Sequence, residues 1–327
     1  YVAELTANGN GEDGVDIDRV AGIAVVVDVR ANDNGHDGVQ MDHVRDIAGV
    51  AGVTANNNGE EGIDIEHSAF ADDAFVIVID STAHNNGADG VEIGRVGDVQ
   101  IGGVRANGNG DEGLDIERAR EVSITESRFN NNSNGGIEID RIAGLEMDDV
   151  RSNGNGEDGI DVQTVSGAVD VTNTFANDNA DEGVQIFGVG GTITLESVAA
   201  NRNGDRGLWI RGAHDVDVTD SVFNANDTRG ADIERACDVI LTGLRANNNG
   251  SDGVRVYRVW DVEIDESRAN GNGVDGFHIN RARDVSVANS RAQQNGDDGF
   301  QAFNSRDVEA IDSFFSRNDD DGFQVIN

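Results

Sequence analysis

Asp232 and Glu234 stand two residues apart, and on an extended strand that spacing puts both carboxyls on one face. Their Cα atoms would lie roughly 6.5–7 Å apart, near the carboxyl separation of about 6.5–9.5 Å that inverting glycosidases use for a general acid and a general base. They are the candidate catalytic pair. The acid-x-acid spacing recurs at Asp16/Asp18, Asp64/Glu66, Asp115/Glu117 and Glu138/Asp140, so by itself it carries little catalytic information. Around the pair the sequence brings Phe187, Trp209, Arg211, Arg255, Tyr257, Trp260 and His278. Aromatic rings cover the apolar faces of pyranoses, and charged side chains bond hydroxyls or uronate carboxylates. These seven are candidate glycan-binding residues.

A second group is purely acidic. Asp16, Asp18, Asp42, Asp64, Glu66, Asp115, Glu117, Glu138, Asp140 and Asp161 recur at two fixed places in a repeat. Strands stacked at about 4.8 Å would turn them into a two-column carboxylate ribbon. Like charges at that spacing repel by about 1 kcal/mol per pair in water. A shared Ca²⁺, which takes oxygen ligands at about 2.3–2.6 Å, would relieve the repulsion. A salt-screened acidic surface is the plainer reading, and Ca²⁺ is the one candidate cofactor set against it.

The composition narrows the partners. The chain has 327 residues, with 62 acidic against 24 basic and a formal charge of −38. Every basic residue other than histidine is arginine, and proline is absent. Such a charge balance repels nucleic acid and anionic membranes. No apolar run approaches the roughly 18 residues of a membrane span. Cys237 has no second cysteine to pair with.

What must position all these residues is an internal repeat. A turn of the form N-x-N-G-x-D-G ends at Gly14, Gly38, Gly62, Gly90, Gly113, Gly136 and Gly159, then at Gly183, Gly207, Gly230, Gly253, Gly276, Gly299 and Gly322. The intervals are 23 or 24 residues, apart from one of 28 between Gly62 and Gly90, which marks a four-residue insertion. Four residues before each Gly stands an Asn, from Asn10 to Asn318; stacked amides of this kind form a ladder. The repeated Gly suits a position with positive φ.

After the turn, apolar residues alternate with period two, as in Val15/Ile17 and Leu114/Ile116, and again in Val99/Ile101 and Val216/Val218. A third segment carries Ala31, Ala55, Ala106, Phe129 and Phe223 inward. The sequence therefore predicts an all-β, single-stranded parallel β-helix of about 14 coils of 23–24 residues, with three short strands per coil, over residues 1–327 as one domain. The turn-strand unit, the Asn ladder and the three-strand coil resemble the pectin-lyase-like, right-handed parallel β-helix superfamily across essentially the whole chain. That resemblance implies the fold. It leaves function open, because the superfamily includes lyases, hydrolases, epimerases, phage spikes and adhesins. The R-x-P-x-x-R, G-H-G, R-I-K and D-P-H-E signatures of its enzymes are missing here.

Two further faces stand out. Arg30, Arg105, Arg128, Arg151, Arg245, Arg268 and Arg291 form an outward column on the third segment, expected to pair with Asp28, Glu126, Asp149 and Glu266 two residues earlier. Val25, Val27, Ala51, Ile77 and Ile79 fall where polar residues are expected and, with Phe70 and Phe75 in the adjoining insertion, predict a protein contact or self-association. Neither end carries a capping helix, so the sequence reads as part of a longer chain or as a unit that joins end to end.

The preferred function is a secreted or cell-surface scaffold presenting a glycan-binding, calcium-binding face without catalysis. A polysaccharide hydrolase, lyase or epimerase is the alternative, and a filament or surface-layer building block is a third reading.

Overall fold

The computed structural model describes residues 1–66 and 74–327. Phe70, part of the expected contact face, lies outside the described residues. The chain forms two compact units, Tyr1–Val165 and Ser166–Asn327. Each is a parallel β-solenoid.

In unit 1 the strand after each turn joins its counterparts in one parallel sheet, running from Val15–Asp18 through Val39–Asp42, Ile63–Glu66, Val91–Arg95, Leu114–Arg118 and Ile137–Ile142 to Ile160–Val165. The second strands, such as Ile23–Val27, Phe75–Ile79 and Glu121–Thr125, form another. Unit 2 repeats the arrangement. Its first-strand sheet runs through Val184–Val189, Leu208–Arg211, Ala231–Glu234, Val254–Tyr257, Phe277–Asn280, Phe300–Phe303 and Phe323–Ile326. Register follows the repeat: Leu114 pairs with Ile137 and Ile137 with Ile160, while Trp209 pairs with Asp232 and Asp232 with Arg255. Inward residues such as Ile63, Ile93, Leu114, Ile116, Phe129, Phe223, Phe277 and Phe300 are fully buried.

The Asn column is a hydrogen-bonded ladder. Asn109 donates from its backbone N–H and from Nδ2 to Asn132 Oδ1 at 3.0 and 3.1 Å, and Asn249 does the same to Asn272. Between Asn34 and Asn295 the ladder amides are buried, and an oxygen such as Asn132 Oδ1 satisfies two donors that would otherwise be orphaned.

One expectation about the turn is corrected. The repeated Gly has no positive φ. It is required because coils approach too closely for a side chain: a Cβ on Gly38 would sit 2.5 Å from the Gly62 carbonyl oxygen and 2.6 Å from the Ala55 Cβ. The left-handed residue is the one before the ladder Asn, as at Asp33, Asn57, Asn131 and Asn248.

The third segment is also shorter than expected. In most coils it is a single parallel bridge, Arg105↔Arg128↔Arg151 in unit 1 and Arg245↔Arg268↔Arg291 in unit 2. Left-handed residues bracket it, Glu126 at φ 51° and Asn131 at φ 56° on either side of Arg128, leaving little extended backbone to pair. The acids expected to neutralise this column sit in those left-handed corners. Asp149 lies 3.6 Å from Arg151, but among the described residues Arg30, Arg128 and Arg268 have no carboxylate within ion-pair distance.

The apolar residues come together in the second-strand sheet of unit 1. Val25, Gly49 and Ile77 are in register, as are Val27, Ala51 and Ile79, and Ile23 with Ile47 and Phe75. Ile23 is 59% exposed, and the remaining side chains of this face are mostly half-buried. No helix among the described residues is long and apolar enough to cross a membrane.

Candidate functional site

The first-strand face of unit 2 carries three columns, because the residue before the repeated Gly joins the two strand positions that point outward. The turn column reads Glu182, Arg206, Arg229, Asp252, Asp275, Asp298, Asp321. The next reads Gln185, Trp209, Asp232, Arg255, His278, Gln301, Gln324 in register. The outer column begins Phe187, Arg211, Glu234, Tyr257, Asn280, Phe303.

One contact repeats down this face: the turn residue meets the strand residue three positions later. Asp275 Oδ2 lies 2.7 Å from His278 Nδ1, Gln301 donates to Asp298 at 2.8 Å, and Gln324 donates to Asp321 at 2.9 Å. The other oxygen of Asp275 and of Asp298 accepts a backbone N–H of the next coil, from Asp298 at 2.9 Å and from Asp321 at 2.8 Å. These carboxylates are structural braces that also orient the strand residue.

Where arginine replaces the turn acid, the contact changes sense. Arg206 lies over the Trp209 ring at 4.1 Å and donates to Glu182, Asp205 and Asp232 at 2.6, 2.9 and 3.2 Å. Arg229 joins Asp232 at 3.2 Å to Asp252 at 3.1 Å. Arg255 donates to Asp232 at 2.8 Å and also to Glu234. Asp232 is thus fully shielded, with 0% exposure, beneath three guanidinium groups. Strand alternation alone predicts an open carboxyl at this position, and the arginine roof removes it from solvent. Burial opposes the Arg255 charge, but its Asp232 hydrogen bond and the carboxylates of Asp232, Glu234 and Asp252 together push its pKa above the usual value.

The aromatic residues divide between two places. Trp209 packs edge-on against Phe187 with ring centres 4.6 Å apart, and its buried Nε1 has no hydrogen-bond partner among the described residues. Tyr257 sits among Arg255, Arg258 and Arg281, whose guanidinium carbons lie 5.7, 4.9 and 5.6 Å from its ring, and its hydroxyl accepts from Arg281 at 3.1 Å. His278 stands diagonally across from it on the same face, about 7–8 Å away by sheet geometry. Arg211 is exposed at the edge.

The corner after this strand is basic. Arg235, Arg258 and Arg281 occupy stacked left-handed positions at φ 60°, 59° and 63°. Beside them a groove of about 280 Å³ is lined by Trp260, Arg281, Arg283, Asn304 and Arg306. Trp260 is 66% exposed. A larger groove, about 670 Å³, lies over the second sheet of unit 2 and is lined with Asp238, Asp261, Glu263, Asp284, Asp307 and Glu309, a charge that repels anions.

On unit 1 the same three columns are acidic. Asp64, Glu92, Asp115 and Glu138 stack in register, and the turn column adds Asp37, Glu61, Asp89 and Glu112. Here carboxyl meets carboxyl where unit 2 has a complementary partner. Burial first, then the neighbouring acids, raise Asp64 and Asp115 to about 7 and push Asp37, Asp89 and Glu112 well above the carboxylate range. Oxygens of Glu61, Asp89 and Glu92, and of Asp89, Asp111 and Glu112, lie within 4.8 Å of one another. That matches the span across a calcium ion with ligands at about 2.3–2.6 Å. The outer column differs: Asp18 pairs with Arg19 at 2.8 Å, Asp140 with Arg141 at 2.9 Å, and Glu117 with Arg95 and Arg141 at 3.4 Å. Asp16, Asp42, Glu66 and Asp161 complete the ribbon, with Asp42 Oδ1 and Asp161 Oδ1 buried and without a hydrogen-bond partner among the described residues.

The turn column, including Arg206, Arg229 and Asp275, is absent from the strand-based reading, as are the corner arginines. The signal was available in the residue before each repeated Gly.

A family model described as the right handed beta helix region matches residues 69–223 and 206–327. The chain belongs to the right-handed β-helix family. Among solved right-handed β-helix structures it is similar to the A-module of the mannuronan C-5 epimerase AlgE4 of Azotobacter vinelandii, at 17% identity and a TM-score of 0.54, over 93% of this chain and 88% of that one. The AlgE6 A-module of the same organism gives 15% identity and a TM-score of 0.43 over 92% and 90%. The periplasmic alginate epimerase AlgG, as a double mutant, gives 15% and 0.39 over 91% and 70%. At these identities the likeness is one of fold. No curated protein sequence matches.

Proposed function

We propose that this β-helix acts on an acidic, uronate-bearing polysaccharide held along the first-strand face and basic corner of unit 2. The observation that carries the reading is the cluster of Arg281, Arg283 and Arg306 around exposed Trp260, in a chain with 62 acidic and 24 basic residues. A ring takes the sugar face, and guanidinium groups pair with carboxylates in forked hydrogen bonds. Phe187, Trp209, Arg211, Arg255, Tyr257 and His278 extend the same surface.

Proton transfer at a uronate needs the carboxylate neutralised and an acid–base group within reach. Arg281 supplies charge beside Tyr257. His278, with Nδ1 held by Asp275, keeps Nε2 for taking or returning a proton. Tyr257 is the second such group on the face. The similar AlgE4 module, a mannuronan C-5 epimerase, favours this class of polymer and of chemistry. Asp232 and Glu234 have a positioning role here, fixing Arg255. A non-catalytic glycan scaffold is the second reading, favoured by the ion pairs that lock those two carboxyls. Extracellular or cell-surface placement and Ca²⁺ on the unit 1 strip belong to the same proposal.

The test is incubation with polymannuronate or polygalacturonate in D₂O. Deuterium appearing at C5, and lost in His278→Ala and Tyr257→Phe, supports the enzyme. Retention of the polymer without deuterium, weakened in Trp260→Ala/Arg283→Gln, supports the scaffold. Failure to retain either polymer overturns the proposal.

A further inference from the structure

A separate cationic row lies on the third segment of unit 2. Arg245, Arg268 and Arg291 bridge in register and are all exposed. Coil stacking sets their spacing at about 4.8 Å. An amide ladder two residues further on holds that spacing: Asn270 donates twice to Asn247 Oδ1, at 2.9 and 3.0 Å, and Gln293 N–H donates to Asn270 Oδ1 at 3.0 Å.

Of this row the sequence suggests a same-strand acid for Arg268 alone, Glu266. The structure removes that pairing too. Two residues before the arginines stand Gly243, Glu266 and Asn289, all in left-handed corners, and only one carries a charge. Among the described residues neither Arg245 nor Arg268 has a carboxylate at ion-pair distance, while Arg291 lies 5.6 Å from the centre of the Phe314 ring. In a chain of formal charge −38, guanidinium groups stacked side by side without counter-ions repel one another. The column ends in aromatic rings on both sides, Phe175 at 37% exposure and Phe314 at 53%, with Ala199 and Val222 between Phe175 and the arginines.

We infer that this row is a binding track for a linear polyanionic glycan lying parallel to the direction of coil stacking. Acid groups along the polymer meet successive guanidinium groups, and the terminal rings take sugar faces. The track uses neither the Trp260 corner nor the Tyr257–His278 face, so it stands or falls apart from the activity proposed above. The shared chemistry is a carboxylate or sulfate borne on consecutive sugars, and two probes separate those sources.

Affinity electrophoresis of the whole chain through gels containing polygalacturonate, dextran sulfate or neutral dextran tests it. Arg245→Gln/Arg268→Gln should weaken retention at least fivefold on one charged polymer, with no change on neutral dextran, and should flatten the salt dependence. Arg245→Lys/Arg268→Lys should recover most of the binding, and the melting profile of each variant guards against misfolding. Trp260→Ala/Arg283→Gln should leave the contribution of the row intact. Retention of the Gln variant equal to the parent on both charged polymers overturns the inference, and so does an equal loss of binding to single-stranded DNA of matched charge.

Discussion

The carboxylate of Asp232 meets the guanidinium of Arg255, one coil on, at 2.8 Å, while Arg206 reaches the same carboxylate from the coil before and Arg229 from the turn of its own coil. One buried negative charge therefore holds three positive ones, which in turn hold Glu182, Glu234 and Asp252. The network staples four successive coils of unit 2 and fixes the floor on which Trp209 and Tyr257 rest.

Removing the hub leaves the arginines uncompensated. Breaking one side of a buried ion pair destabilises by about 3–5 kcal/mol. Asp232→Asn should lower the urea midpoint accordingly, and Glu234→Gln, at the half-buried edge, should lower it less. An Asp232→Asn midpoint equal to the parent would show that the network contributes nothing.

The unit 1 acids set a pH dependence. Asp64 and Asp115 are raised to about 7 in the folded state, against ordinary carboxyl behaviour when unfolded. Between those values the folded state binds more protons, so stability falls as pH rises from about 4 to about 7. The melting temperature should be higher at pH 5 than at pH 8, by roughly 5 °C or more. Asp64→Asn/Asp115→Asn should flatten the difference. A profile that rises with pH over this range would contradict the burial of these groups.

Calcium should act on the same strip. Millimolar Ca²⁺ at pH 8 should raise the melting temperature beyond NaCl at matched ionic strength, and Asp89→Asn/Glu112→Gln should abolish the excess. Equal shifts from the two salts would leave only screening.

The apolar face formed by Val27, Ala51 and Ile79 gives a hydrodynamic prediction. If it contacts a second copy, Val27→Asp/Ile79→Asp should slow sedimentation to that of a monomer. A parent that already sediments as a monomer at high concentration refutes the contact.

Much of this is legible in the sequence, for a simple reason. A stacked coil turns linear period into spatial columns, so Asn109 above Asn132 and Leu114 above Ile137 follow from counting. Backbone sign does not follow from counting. Glu126 reads as a strand neighbour of Arg128, yet it occupies a left-handed corner. The burial of Asp232 was hidden differently: its partners Arg206 and Arg229 belong to the turn, and a reading confined to strand alternation leaves that column out. The reason for Gly38 was missed because close approach between coils has no local signature.

The Asn ladder has a sense as well as a spacing. Asn34 gives its hydrogens to Asn58 and takes those of Asn10, and the same order holds from Asn86 to Asn132 and from Asn203 to Asn295. A transplanted coil would dock only head to tail, and an inverted one would set donor against donor. Such a protein can lengthen through tandem gene duplication, each copy arriving already compatible with its neighbours, while its outward positions stay free to diverge.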